Sequence, residues 1–127
     1  MSLFSTLAVY DDSVTQRDIT EETGVLPQSP YGITKFAGEC ILAQVAAERG
    51  FPLVVFRPCK LYGPGDRSFE YGPGSFLYSV LMGEPVRLYG DGSELRDHLF
   101  IEDLVQIVRH FVQNDEGGTY NLASGVS

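Results

Sequence analysis

In the stretch SPYGITK, Tyr31 and Lys35 stand four residues apart, directly after a Ser-Pro pair. A serine hydroxyl caps helices and proline suits the first helical position, so the segment predicts a helix start. At i and i+4 the two side chains share one face, a turn apart. A free phenol titrates at roughly pH 10, too high for a base at neutral pH. A close ammonium favours the phenolate and lowers that value. Two readings of the pair are open: the solvated rim of an amphipathic helix, or a phenol held beside an ammonium so that it trades protons. The heptapeptide alone does not separate them.

The elements that must position such a pair are readable along the chain. Residues 3–10 (LFSTLAVY) predict a short apolar strand, followed by a polar, turn-rich loop to residue 28. Residues 29–50 predict a strong helix, with Ala37, Ile41 and Val45 at helical spacing, Leu42 widening the stripe and Gly50 as the stop. FPLVVFRP is a continuous β-branched and aromatic run, as in a strand buried on both faces. Residues 59–74 read as a glycine- and proline-rich loop. A short helix follows, opened by Ser75 and closed at Gly83, then strands in VRLYGDG and LRDHLF. IEDLVQIVRHFVQN predicts an amphipathic helix with Leu104, Val105, Val108, Phe111 and Val112 on its buried face. Glu102 and Asp103 suit its first turn, where the helix dipole favours acids. GGTYNLAS predicts a turn and a final strand. The order is β-α-β, a mixed stretch, then α-β, which predicts an α/β fold whose first unit is a parallel strand pair joined by a helix.

The length suits one domain with a real core. No run is long and apolar enough to span a membrane, and no secretory signal is expected, since no basic stretch precedes an apolar one at the start of the given sequence. Cys40 and Cys59 read as buried, reduced thiols. Together these features predict a cytoplasmic protein. His98 and His110 lie far apart with no metal-ligand spacing around them, so no metal site is expected. The formal net charge of −8, with no basic stripe, argues against nucleic acid. It leaves room for a small anionic ligand where a few arginines converge.

Four segments taken together carry a resemblance: Ser5-Thr6 in the opening strand, SPYGITKFAGE, FRPCKLYGPGD and YGDGSELRDHLFIEDL. In this order and spacing they resemble the extended short-chain dehydrogenase/reductase family, whose best-known members are NAD-dependent nucleotide-sugar epimerases and dehydratases. The resemblance implies that Tyr31 is the catalytic acid/base and Lys35 its partner. It also implies that Lys35 and Tyr31 meet the nicotinamide ribose and that Pro58 lies beside the carboxamide. Thr6 falls where the family has a catalytic serine or threonine; read alone, it is only a strand residue with a satisfied hydroxyl. Arg96 matches an arginine used on the sugar-nucleotide diphosphate, a role that suits a planar guanidinium. Lys60 stands where the family often has a phosphate-contacting asparagine, and Arg67 is a weaker ligand candidate. Asp97 and Asp103 are expected to fix a turn and cap a helix, and His98 to be a strand residue. The helix at 29–50 is expected to join a homodimer interface.

Departures from the family pattern matter as much. The glycine-rich turn that carries the NAD or NADP pyrophosphate, Gly-x-x-Gly-x-x-Gly, does not occur in this sequence. The expectation is therefore a fragment. Residues 1–66 would be the C-terminal half of a Rossmann-like domain with the catalytic helix. Residues 67–127 would be part of a mixed substrate lobe with a returning helix and strand. By itself such a chain is expected to bind no NAD or NADP tightly and to turn nothing over. Leu7 and Ala8 follow Thr6 where dehydratases of this family carry an Asp-Glu pair, which disfavours a dehydratase and leaves an epimerase or a simple ketone/alcohol oxidoreductase, the epimerase being preferred by the resemblance. A non-catalytic self-associating domain and a fragment of a non-sugar alcohol or ketone reductase stand as alternatives.

Overall fold

The computed structural model describes residues 1–11, 18–66, 72–88, 90–91 and 95–126. Its centre is strand β2, Val54–Pro58, four of whose five residues are buried. Strand β1, Ser2–Phe4, lies parallel to one side of it and β5, Gly118–Leu122, parallel to the other. Parallel neighbours need crossovers. Helix α1, Pro30–Arg49, makes the first, and helix α3, Ile101–Asn114, leads into β5. A second parallel pair joins β3, Lys60–Tyr62, to β4, His98–Phe100. Helix α2, Pro73–Met82, lies between these two strands in sequence.

Local chemistry sets the helix ends. Ser29 Oγ accepts from the Gly32 N–H at 3.0 Å, and Pro30 opens α1. Gly50 ends it in the left-handed region at φ 68°. The core is an aromatic file on the α3 side of the sheet. Phe4 meets Phe56 at 5.5 Å between ring centroids, Phe56 meets Phe111 at 5.4 Å, and Phe111 meets Tyr120 at 4.5 Å. Leu99, Leu104 and Leu122 close around them.

Several expectations need correction. The first strand stops at Phe4: Thr6 Oγ1 accepts from the Ala8 N–H at 3.2 Å and caps a 3-10 turn over Leu7–Val9. A hydroxyl bonding its own backbone two residues on competes with strand pairing. Lys60–Tyr62 is a strand, not loop. α2 begins at Pro73, with Ser75 inside its first turn. Residues 86–88 form no strand, and the rest of VRLYGDG lies largely outside the described residues. On α3, Val105 and Val112 face solvent, while Ile107 joins Leu104, Val108 and Phe111 in the core. No side chain caps α3, so Asp103 only sits in its first turn. Cys40 is exposed and Cys59 half-buried; both are free thiols.

Candidate active site at the carboxyl end of β1

α1 turns part of its apolar surface away from the sheet, while Phe36 and Leu42 are half-buried. Ile33, Ile41 and Val45 are exposed, whereas the buried residues of the helix are Gly32, Glu39 and Ala46. Seven-residue spacing keeps these three on one face. Gly32 lets the helix approach the 3-10 turn: a Cβ there would sit 2.1 Å from the Ala8 carbonyl oxygen. Seven residues on, Glu39 forms a buried two-pronged ion pair with Arg57 of β2. The distances are 3.1 Å from Nε to Oε1 and 2.6 Å from Nη2 to Oε2. Arg57 Nη1 donates to the Tyr10 hydroxyl at 2.8 Å, which donates to Asn121 Oδ1 at 2.7 Å. Burial pulls the Arg57 guanidinium down, yet the bonds to Glu39 and Tyr10 outweigh it and hold it above its ordinary value.

Lys35 stands between these two anchors, and Tyr31 directly before the first. Lys35 Nζ donates to the Phe4 carbonyl at 3.0 Å and lies 5.7 Å from the centroid of the Tyr31 ring. Bonds from Ser5 N–H to Phe56 O and from Val54 N–H to Met1 O face β1 towards β2 at residues 1, 3 and 5. The Phe4 carbonyl therefore points to the open edge of the sheet, where the ammonium meets it. Tyr31 is more than half exposed, and its hydroxyl has no hydrogen-bond partner among the described residues. Thr6 is two residues beyond Phe4 and two before Ala8, so the Lys35 and Gly32 contacts bracket it. Its oxygen takes the Ala8 N–H, which leaves its O–H to donate outward.

The other predicted residues are spread around this centre. Pro58 ends β2, paired with Leu122 at the same carboxyl end of the sheet. Lys60 opens β3, paired with His98, which is a strand residue as expected. Arg96 is exposed just before β4, and Arg67 lies outside the described residues. Asp97 fixes the turn after β5: it accepts from Ser124 N–H at 2.9 Å, Ser124 Oγ at 2.8 Å and Gly125 N–H at 2.7 Å. Burial would raise its carboxyl; these donors and the Cys59 thiol hold it below its ordinary value. Burial, reinforced by Asp97, pushes the Cys59 thiol up to about 12. A separate apolar groove of about 400 Å³ lies between β3 and α2, lined by Tyr62, Asp66, Leu77, Tyr78 and Leu81 among others. None of the predicted site residues lines it. Among the described residues no cluster could hold a metal, and no helix is long and apolar enough to cross a membrane.

Sequence reasoning missed Gly32, Glu39, Arg57 and Tyr10. A glycine between Tyr31 and Lys35 in a helix's first turn was the one readable signal. The Glu39–Arg57 pair joins residues from different elements, and nothing in their spacing announces it.

The profile of the NAD dependent epimerase/dehydratase family matches residues 1–123. An uncharacterized UDP-glucose epimerase of Bacillus subtilis is 33% identical over 102 residues, which cover 80% of this chain and 31% of that protein. The solved UDP-N-acetylglucosamine 4-epimerase of Methanobrevibacter ruminantium, in complex with UDP-N-acetylmuramic acid, superposes with a TM-score of 0.86 at 27% identity. That match covers 96% of this chain and 40% of the other. A dTDP-glucose 4,6-dehydratase of Bacillus anthracis, solved with NAD, superposes with a TM-score of 0.85 at 28% identity, over 96% of this chain and 39% of the other. The chain thus spans well under half the length of these relatives.

Proposed function

Because this chain belongs to the NAD dependent epimerase/dehydratase family, we propose that it supplies the proton-handling half of a nucleotide-sugar epimerase-type oxidoreductase. The observation that carries the reading is the Lys35 ammonium placed between the Tyr31 ring and the end of β1, with the Thr6 hydroxyl two residues on. In this reading Tyr31 takes the proton from a sugar hydroxyl and returns it. Thr6 donates to the same sugar oxygen and holds it. Lys35 stabilises the phenolate charge as it forms. Lys60 and Arg96 meet the diphosphate of the substrate.

NAD or NADP, when bound, supplies the hydride acceptor and donor at the sugar carbon. The exposed Tyr31 phenol and the Lys35 ammonium fit its nicotinamide end, beside Pro58 at the strand terminus. Nothing in the sequence fits its pyrophosphate, since the glycine-rich turn does not occur. We therefore expect this chain alone to bind neither cofactor tightly and to be inactive. Residues 1–66 would carry the acid/base chemistry and residues 67–127 part of the sugar-nucleotide lobe. Leu7 and Ala8, folded into the 3-10 turn, put no acidic pair after Thr6, which favours an epimerase over a dehydratase. The cytoplasm, rich in nucleotide sugars, is the compartment this chemistry fits.

The test is a chimera that joins the glycine-rich half of an active relative to this chain, assayed for epimerisation of UDP-sugars. Activity that vanishes in Tyr31→Phe and falls in Lys35→Met and Thr6→Val supports the assignment. An active Tyr31→Phe chimera sinks it, as does tight, saturable NAD binding by the chain alone in calorimetry. A second reading is supported by the exposed apolar residues of α1 (Ile33, Ile41 and Val45) and of α2 (Leu77, Val80 and Leu81). Such faces drive association, so the chain would also form a homodimer or a non-catalytic assembly. A monomer by light scattering at micromolar concentration would exclude that.

A further inference from the structure

Tyr31, Lys35 and Glu39 are i, i+4 and i+8 on α1, one stripe of one helix. The lower end of that stripe is not packed with apolar groups. It is clamped by the two parallel hydrogen bonds from Arg57, with both side chains less than a tenth exposed. The clamp is itself held: the Arg57 guanidinium lies 5.0 Å from the Tyr10 ring centroid and bonds its hydroxyl, and Tyr10 bonds Asn121 of β5. The same helix thus ties to β2 directly and to β5 through Tyr10.

A buried ion pair is a poor source of stability compared with apolar residues of the same volume. It differs from them in direction. A fork-to-fork contact fixes rotation and register, whereas apolar packing tolerates both. We propose that Glu39 and Arg57 are positioning residues: they set the rotation of α1 that brings Lys35 to the Phe4 carbonyl and beside the Tyr31 ring. This rests on the reading of Tyr31 and Lys35 as the proton-handling pair. Gly32 sets how near the helix comes and Glu39 how it is turned. Lys35 lies between the two.

Lys35 and Lys60 are the two lysines of the chain, which gives an internal reference. The intact chain and the double variant Glu39→Met with Arg57→Met are labelled with a trace of acetic anhydride, and the Lys35:Lys60 acetylation ratio is read by mass spectrometry. The double variant should keep its thermal midpoint, while the ratio rises about threefold or more, the factor that one modest hydrogen bond to the ammonium is worth. An unchanged ratio in the folded double variant overturns the proposal and leaves the pair a structural contact only. If the double variant does not fold, Glu39→Gln, whose amide nitrogen cannot accept and so removes one prong of the fork, carries the same measurement: a raised ratio supports positioning and an unchanged one refutes it. Failure of the acid/base assignment would show elsewhere, as an active Tyr31→Phe chimera, and would leave this ratio untouched.

Discussion

Helix propensity alone predicts that Gly32→Ala and Gly38→Ala both stabilise the chain, by up to about 1 kcal/mol each. Their surroundings predict opposite signs. A Cβ at Gly38 meets nothing within 4 Å, whereas one at Gly32 would sit 2.1 Å from the Ala8 carbonyl oxygen and 3.0 Å from Pro27 Cβ. An ordinary carbon–oxygen contact is about 3.3 Å, so the start of α1 must retreat by roughly 1 Å. That partner is backbone and cannot swing aside. Overpacking of this kind costs up to about 3 kcal/mol. A retreat of that size also stretches the 3.0 Å bond from Lys35 to the Phe4 carbonyl beyond reach, for about 1 kcal/mol more. Against a propensity gain of at most about 1 kcal/mol, Gly32→Ala should be destabilised by about 2–3 kcal/mol. Urea denaturation followed by circular dichroism measures both variants against the parent. Gly32→Ala should melt on the order of 10 °C below Gly38→Ala. If both variants are stabilised alike, the close approach of α1 to the 3-10 turn is wrong, and with it the bracketing of Thr6.

Other outcomes follow from single contacts. At pH 8 iodoacetamide should modify exposed Cys40 readily and spare Cys59 until the chain is unfolded, since the Cys59 thiol is pushed up to about 12; equal rates in the native state would contradict that environment. Asp97 is held below its unfolded value of roughly 3.9, so the stability it contributes is whole above that pH and is lost as pH falls through the folded value. Asp97→Asn should accordingly flatten the acid limb of the stability profile, and an identical limb in parent and variant would count against the Ser124 and Gly125 contacts. Asp115 ends α3 at φ 53°, a conformation that glycine adopts without strain, so Asp115→Gly should stabilise by about 0.5–1 kcal/mol in thermal melts.

What could be read in advance followed from local chemistry. Ser29, Pro30 and Gly50 marked both ends of α1, and the run Val54–Pro58 announced a strand buried on two faces. Errors arose where a side chain competed with the backbone or where solvent exposure was guessed from pattern. Thr6 turned a predicted strand into a 3-10 turn by capping its own backbone. Val105 and Val112 sat within the apolar arc of α3, yet too near its edge to be covered. On α1 part of the apolar stripe faces outward because the sheet-facing side is taken by a glycine, a glutamate and an alanine. The Tyr31–Lys35 pairing was legible from spacing; the ion pair further along the same stripe was not, since Glu39 and Arg57 meet only through the fold.

The outward-turned carbonyl of Phe4 has a consequence for anything that lies down along that margin of the sheet. A charged lysine tethered there discourages stray strands from annealing to it. A parallel strand that does join in register offers its own amide to the same oxygen and so competes there with the Lys35 amine. At this one atom, pairing with a further strand and tethering of Lys35 are in competition.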